Sequence, residues 1–156
     1  MTHVCQFPTD VRIREVGSLD EVFDLHDPDN GYDILDEIAM PAPNMRQARL
    51  KSARANGSYG VGARLADDGS LIIQVGIFGS SWGQCTTRAI ALIDALRSVD
   101  TYYVETELSG VITRWFSDAP ADVNPEPITI TDRAANMQRY ELRFLVQPNP
   151  TVTIGV

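Results

Sequence analysis

The spacing of apolar residues changes period along the chain. Over residues 138–146, Tyr140, Leu142, Phe144 and Val146 alternate with Arg139, Glu141, Arg143 and Leu145. A two-residue period turns one face of a strand toward a core and the other toward water. Over residues 82–99 the apolar positions fall instead at Trp82, Cys85, Ala89, Leu92, Leu96 and Val99, the three- and four-residue steps of one helix face. Ser81 and Gln84 form a capping-box pair at its start: the Ser81 hydroxyl accepts the amide three residues on while Gln84 reaches back. Arg88, Asp94 and Arg97 fall on the wet side, so the pattern predicts one amphipathic helix lying on a sheet.

Turn chemistry supplies the rest of the β content. Residues 11–16 and 21–26 flank Gly17-Ser18, residues 46–55 and 58–66 flank Asn56-Gly57, residues 71–78 follow Asp67-Asp68-Gly69, and residues 101–108 and 111–116 flank Ser109-Gly110. Each turn tolerates positive φ and is bordered by residues of β character, which predicts antiparallel hairpins. Residues 117–127 carry Pro120, Pro125 and Pro127 and read as a long loop before a short strand at 128–131. The expected fold is mostly β with one helix (α+β), an antiparallel β-sandwich packed by the amphipathic helix. The expected organisation is an arm at 1–10, one domain over 11–148 and a C-terminal tail at 149–156.

Charge changes this picture at the surface. The chain has 156 residues with 13 basic against 21 acidic side chains, a net charge of −8, and a pI near 4.6. That balance opposes attraction to nucleic acid or anionic lipid, so no nucleic-acid binding is expected. The longest apolar run in the helical stretch, 89–93, is far shorter than the roughly 20 residues of a membrane span, so no membrane insertion is expected, and residues 1–10 lack the segments of a secretory signal. The sign of the charge is segregated. Asp20, Glu21, Asp24, Asp27, Asp29, Asp33, Asp36 and Glu37 form an acidic tract, whereas Arg46, Arg49, Lys51, Arg54 and Arg64 follow with no acid between Glu37 and Asp67. Such a chain can present complementary patches to a copy of itself, or simply solvate its charges on exposed strand faces.

Candidate chemistry is sparse. Residues 27–33 gather oxygen ligands of the kind calcium requires, but counting from Asp27 puts Tyr32 and Ile38 where an EF-hand needs glycine and glutamate. Residues 71–78, Gly79-Ser80-Ser81 and the helix could open a phosphate-binding βαβ unit, yet the G-x-G-x-x-G spacing and a Gly-Lys-Ser/Thr are missing, and glycine there suits a tight strand-to-helix turn. The histidines are His3, near the N-terminus, and His26, beside the acidic tract; neither is placed by sequence next to a Ser or Cys nucleophile. No two carboxylates are paired at a defined distance as a glycosidase requires. Cys5 and Cys85 belong to no metal or disulfide pattern. The expectation is therefore no enzyme, no catalytic residue, no metal and no cofactor.

Taken in order, Asp24-Leu25-His26-Asp27-Pro28-Asp29-Asn30-Gly31-Tyr32, Ala42-Pro43-Asn44-Met45-Arg46-Gln47 and residues 71–80 followed by the helix resemble minor tail proteins of long-tailed (siphovirus-type) phages. The layout is similar to the N-terminal domain of the distal tail protein family across residues 11–148. The resemblance implies a β-sandwich flanked by a helix, akin to tail-tube subunits, in a ring of six copies that joins the tail tube to tip or receptor-binding proteins. Its implied partners are itself, the tail tube protein and other tail-tip proteins, in a virion tail assembled in the host cytoplasm. The chain ends soon after its last predicted strand, without the second, carbohydrate-binding-like domain of longer members, so host-sugar recognition is not expected. The subunit-contact candidates are Asp24, Asp27, Asp29 and Asp33 of the acidic tract, Arg46, Arg49, Lys51 and Arg54 of the basic strand, and Pro120 and Pro125 of the proline-rich loop. The alternative is a ligand-binding module, either a calcium-dependent adhesion domain at 27–33 or a nucleotide-binding domain at 79–81.

Overall fold

The computed structural model describes residues 10–36, 38, 41, 45–51, 58–66 and 68–154, with backbone only at 45–51 and 58–66. His3, Cys5, Glu37, Arg54, the Asn56-Gly57 turn and Asp67 lie outside the described residues. In chain order the elements are β1 (Asp10–Glu15), β2 (Glu21–Asp24), β3 (Tyr32–Ile34), β4 (Met45–Lys51), β5 (Ser58–Ala66), β6 (Gly69–Phe78), α1 (Trp82–Arg97), β7 (Tyr102–Leu108), β8 (Val111–Ser117), β9 (Asp122–Pro125), α2 (Ile130–Ala134), β10 (Met137–Val146) and β11 (Thr151–Ile154).

Alternation builds two facing sheets. One has five antiparallel strands in the order β11-β8-β7-β1-β2, the other four in the order β3-β6-β10-β9, and β4 and β5 form a separate two-stranded sheet. Val11 and Ile13 of β1, Tyr102 and Val104 of β7 and Trp115 of β8 share one core with Leu71, Ile73, Val75 and Ile77 of β6 and Leu142, Phe144 and Val146 of β10. The Tyr102 and Phe144 rings meet edge to face at 6.0 Å between the sheets. The Tyr102 hydroxyl, buried with its ring, donates to the Ala119 carbonyl at 2.9 Å and so is not left unpaired.

The helix enters this core through Cys85, Ala89, Leu92 and Leu96 and approaches β6, β10 and the edge strand β2. Its cap is as the sequence predicts on one side: the Gln84 amide donates to Ser81 Oγ at 3.2 Å. On the other side Gln84 Oε1 accepts from the amide and hydroxyl of Ser80, at 2.7 and 2.9 Å, one residue further back than a standard box. Gly79 is required here because a Cβ would stand 2.7 Å from the Cys85 amide nitrogen. Arg88 departs from the wet side: it is half-buried, and its Nη1 donates to the Phe78 carbonyl at 2.6 Å.

The β7–β8 turn has Ser109 at φ 50° and Gly110 at φ 78°, the two positive values a tight hairpin uses. Several expectations are corrected. β6 does not turn back on β5 but pairs with β3 and β10, because its ten residues alternate in step with those of β10 and bury the same face. The proline-rich loop contains β9, which pairs with β10 from Asp122 to Pro125. The predicted strand at 128–131 instead leads into α2: Thr129 accepts the Asp132 amide and Asp132 accepts the Thr129 amide, each at 3.0 Å, a capping box that outweighs the β preference of the isoleucines. Beside these corrections, residues 151–154 form β11 along β8.

Candidate interaction surfaces

The acidic tract closes on itself around a tight turn. Asp27 caps a single 3₁₀ turn, accepting from the Asn30 amide at 3.4 Å and from Asn30 Nδ2 at 2.6 Å. Gly31 follows at φ 86°, and a side chain there would run into the Arg88 guanidinium and the Phe78 carbonyl. Asp33 turns the other way: it lies 3.0 Å from His26 Nδ1 and accepts the Ile34 amide. Asp29 is exposed. The carboxylates thus diverge, and among the described residues no three His, Cys, Asp or Glu converge as a metal would require.

Asp24 belongs to a different arrangement, a row across the outer face of the five-stranded sheet. Register places Asp24 opposite Arg12, Arg12 opposite Glu105 and Glu105 opposite Arg114, so charges of alternating sign stand side by side on four strands. Arg12 lies 3.2 Å from Asp10, 3.5 Å from Glu21 and 3.7 Å from Asp24. Burial pushes the Asp24 carboxyl up, against the opposing pull of the His26 amide and Arg12. Glu105 is 6% exposed. Burial alone would raise its carboxyl, but Arg14 and Arg114, at 2.9 and 2.6 Å, hold it below its usual value. Sequence reasoning missed this row because its members come from residues 12 to 114 and only register aligns them.

The basic positions Arg46, Arg49 and Lys51 lie on β4, with Arg49 opposite Gly60 and Lys51 opposite Ser58. Arg54 lies outside the described residues. Pro120 and Pro125 are exposed, Pro125 opposite Tyr140 at the end of β9. Pro125 and Tyr140 line a cleft of about 360 Å3 with Leu96, Arg97 and Asn124. A second cleft, of about 390 Å3, is lined by Glu21, Phe23, Asp24, Asp27, Tyr32 and Arg88. Tyr32 ties it to the helix by donating its hydroxyl to the Arg88 carbonyl at 2.9 Å.

The nucleotide alternative loses its premise. β6 and β7 lie in different sheets, so no parallel βαβ crossover exists. The amides of Gly79, Ser80, Gln84 and Cys85 already donate to Asn136, Gln84 and Ser81 acceptors.

No protein-family model matches the sequence, and comparison with curated proteins finds no match. Solved structures do match in fold. One is the Dit (gp 19.1) protein of phage SPP1, described as a paradigm of the hub adsorption apparatus in phages infecting Gram-positive bacteria; the TM-score is 0.58 at 10% identity, over 88% of this chain and 50% of that one. Another is the phage P2 baseplate in its activated, calcium-bound conformation, with a TM-score of 0.57 at 10% identity, over 88% of this chain and 43% of that one. The chain therefore spans about half the length of the structures it matches. At such identity the likeness is one of fold: two facing sheets and a helix, shared with these two phage structures.

Proposed function

We propose that the protein is a structural component of a phage tail tip, a ring-forming subunit of distal-tail type that joins the tail tube to tip or receptor-binding proteins. The observation that carries this reading is the agreement of its whole sandwich-plus-helix arrangement, 88% of the chain, with phage hub and baseplate proteins. A second feature supports it. Among the described residues the two larger sheets end in strands paired on one side only, β11 and β2 in one and β3 and β9 in the other. Unpaired edges invite pairing with other chains, and a closed ring satisfies them without open-ended growth.

In this reading the protein acts through shape and charge rather than catalysis. Glu105 is held ionised between two arginines, a structural arrangement with no proton to transfer at neutral pH. The contacts fall at the sheet edges, the acidic residues Asp24, Asp27, Asp29 and Asp33, the basic positions of β4 with Arg54, and the Pro120–Pro125 loop. Six copies form the ring, assembled in the host cytoplasm and retained in the virion tail. Mass spectrometry of purified virions, with cryo-electron microscopy of their tail tips, tests the proposal: the chain is expected in the particle and its fold in density below the tube. Virions that lack the chain, or density for it in the capsid, would overturn it.

A further inference from the structure

The core-facing side of the five-stranded sheet continues past the core. Thr106 and Thr113, two residues on from the core positions Val104 and Trp115, keep to the same side and are still buried. Register carries that side on to Val152 of β11, and the next row is Leu108, Val111 and Ile154. Leu108, Val152 and Ile154 are 42%, 56% and 74% exposed. The side that builds the core thus ends in an exposed apolar margin along β11.

β11 is also the least protected edge. Sheet edges resist other chains through charge, proline or shortness. β9 carries Asp122 and Pro125, β3 has three residues with Asp33 among them, and β2 carries Glu21 and Asp24. β11 is Thr151-Val152-Thr153-Ile154, exposed throughout, without charge or proline, and its β-branched side chains suit pairing. Among the described residues it is paired on one side only.

Charge on the outer face selects the strand that pairs with it. The row Asp24, Arg12, Glu105 and Arg114 ends on Thr151 of β11. Its first charge is an acid and its last a base, so a second copy placed head to tail, with its β2 along β11, sets its own acid beside Thr151 and continues the alternation. β2 and β11 run in the same direction, because each step between them is antiparallel and the steps are even in number, so such a repeat pairs them in parallel. Pairing β2 with another β2 would instead set acids against acids. Phe23 of β2 stands opposite Ile13, on the core-facing side, where the margin of Val152 and Ile154 would meet it. We infer that β11 of each copy adds to β2 of the next copy. The contact is heterologous, the kind that closes into rings. This inference rests on the ring reading and names the strands that join.

Cysteine pairs test it in tails assembled from the full-length chain, in a Cys5→Ser background with the buried Cys85 left in place. Thr151→Cys or Thr153→Cys is combined with Asp24→Cys, and the purified tails are oxidised and run without reductant. Adjacent strands lie about 4.8 Å apart, within the span of a disulfide. One combination at least is expected to give a ladder of linked copies, and each single variant none. No ladder from either combination overturns the inference, and so does a dimer from Thr151→Cys or Thr153→Cys alone, which would mean that two β11 strands meet about a two-fold axis. Charge at Thr151, an exposed position, gives a second measurement. Thr151→Glu should lower incorporation into tails about tenfold, Thr151→Lys should not, and Asp24→Asn should recover most of the loss caused by Thr151→Glu. The same two changes at Thr131, exposed on α2, should alter incorporation little. Equal effects of Glu and Lys at Thr151 would also overturn it. Tails that hold a ring but give no ladder reject this contact and leave the ring standing, whereas a single copy per tail rejects both.

Discussion

Arg114 donates from Nε to Glu105 at 2.6 Å across the β7–β8 ladder, and this contact holds a nearly buried carboxylate ionised on the outer face of a sheet. Removing the charge should expose the cost of the two arginines that surround it. Glu105→Gln keeps the shape and leaves Arg14 and Arg114 facing each other, so a loss of about 2 kcal/mol is expected, moderated because both arginines are partly screened by water. Urea denaturation measures it; a change near zero would show that solvent already carries the arginine charge.

The same carboxylate sets a pH dependence. Its folded pKa lies below its unfolded value, so its contribution is present above the ordinary carboxylate range and is lost as pH falls through the folded pKa. Asp132, lowered by its bonds to Thr129 and then by Arg139, acts with the same sign, whereas Asp24, raised by burial, acts with the opposite sign. The net expectation is falling stability below about pH 4, with a shallower fall in Glu105→Gln. Thermal melts from pH 7 to pH 3 read this directly, and equal slopes in parent and variant would refute it.

Phe144 is fully buried and meets Tyr102 between the two sheets. Phe144→Ala should cost about 3–5 kcal/mol through lost burial and the cavity left behind. Chemical denaturation checks the value; a cost below about 1 kcal/mol would mean that the sheets collapse onto the gap.

Two glycines near the start of α1 should respond in opposite directions. A Cβ at Gly79 would stand 2.7 Å from the Cys85 amide nitrogen and 2.9 Å from the Ser81 carbonyl, both backbone, so Gly79→Ala should destabilise. At Gly83 the nearest atom is 4.0 Å away, and Gly83→Ala should stabilise by up to about 1 kcal/mol through helix propensity. Differential scanning calorimetry of both variants decides; shifts of the same sign would contradict the packing described for this turn.

Reversal of the basic positions separates assembly from folding. Arg49→Glu combined with Arg54→Glu should reduce incorporation into tails more than it lowers Tm, because charge at a rim governs association more than stability. Complementation of a deletion phage, followed by quantification of the chain in purified tails, measures the first quantity and a melt the second. Parallel loss of both would point to a folding defect.

The sequence by itself determined the elements with strong local signals. Side-chain alternation marks β10, the positive-φ turn Ser109-Gly110 marks the β7–β8 hairpin, and the apolar stripe with Ser81 marks α1, because each depends on residues a few positions apart. At 128–131 two local signals conflicted, and the Thr129–Asp132 capping box overrode isoleucines that stay exposed, Ile130 at 91%. Only the tertiary structure decided that β6 joins β3 and β10 rather than β5, that Arg88 turns inward to Phe78, and that Asp24, Arg12, Glu105 and Arg114 stand in one row. Strand partners and ion pairs of this kind depend on register between distant segments, and register is set by which faces bury together, a property that no single stretch of the chain contains.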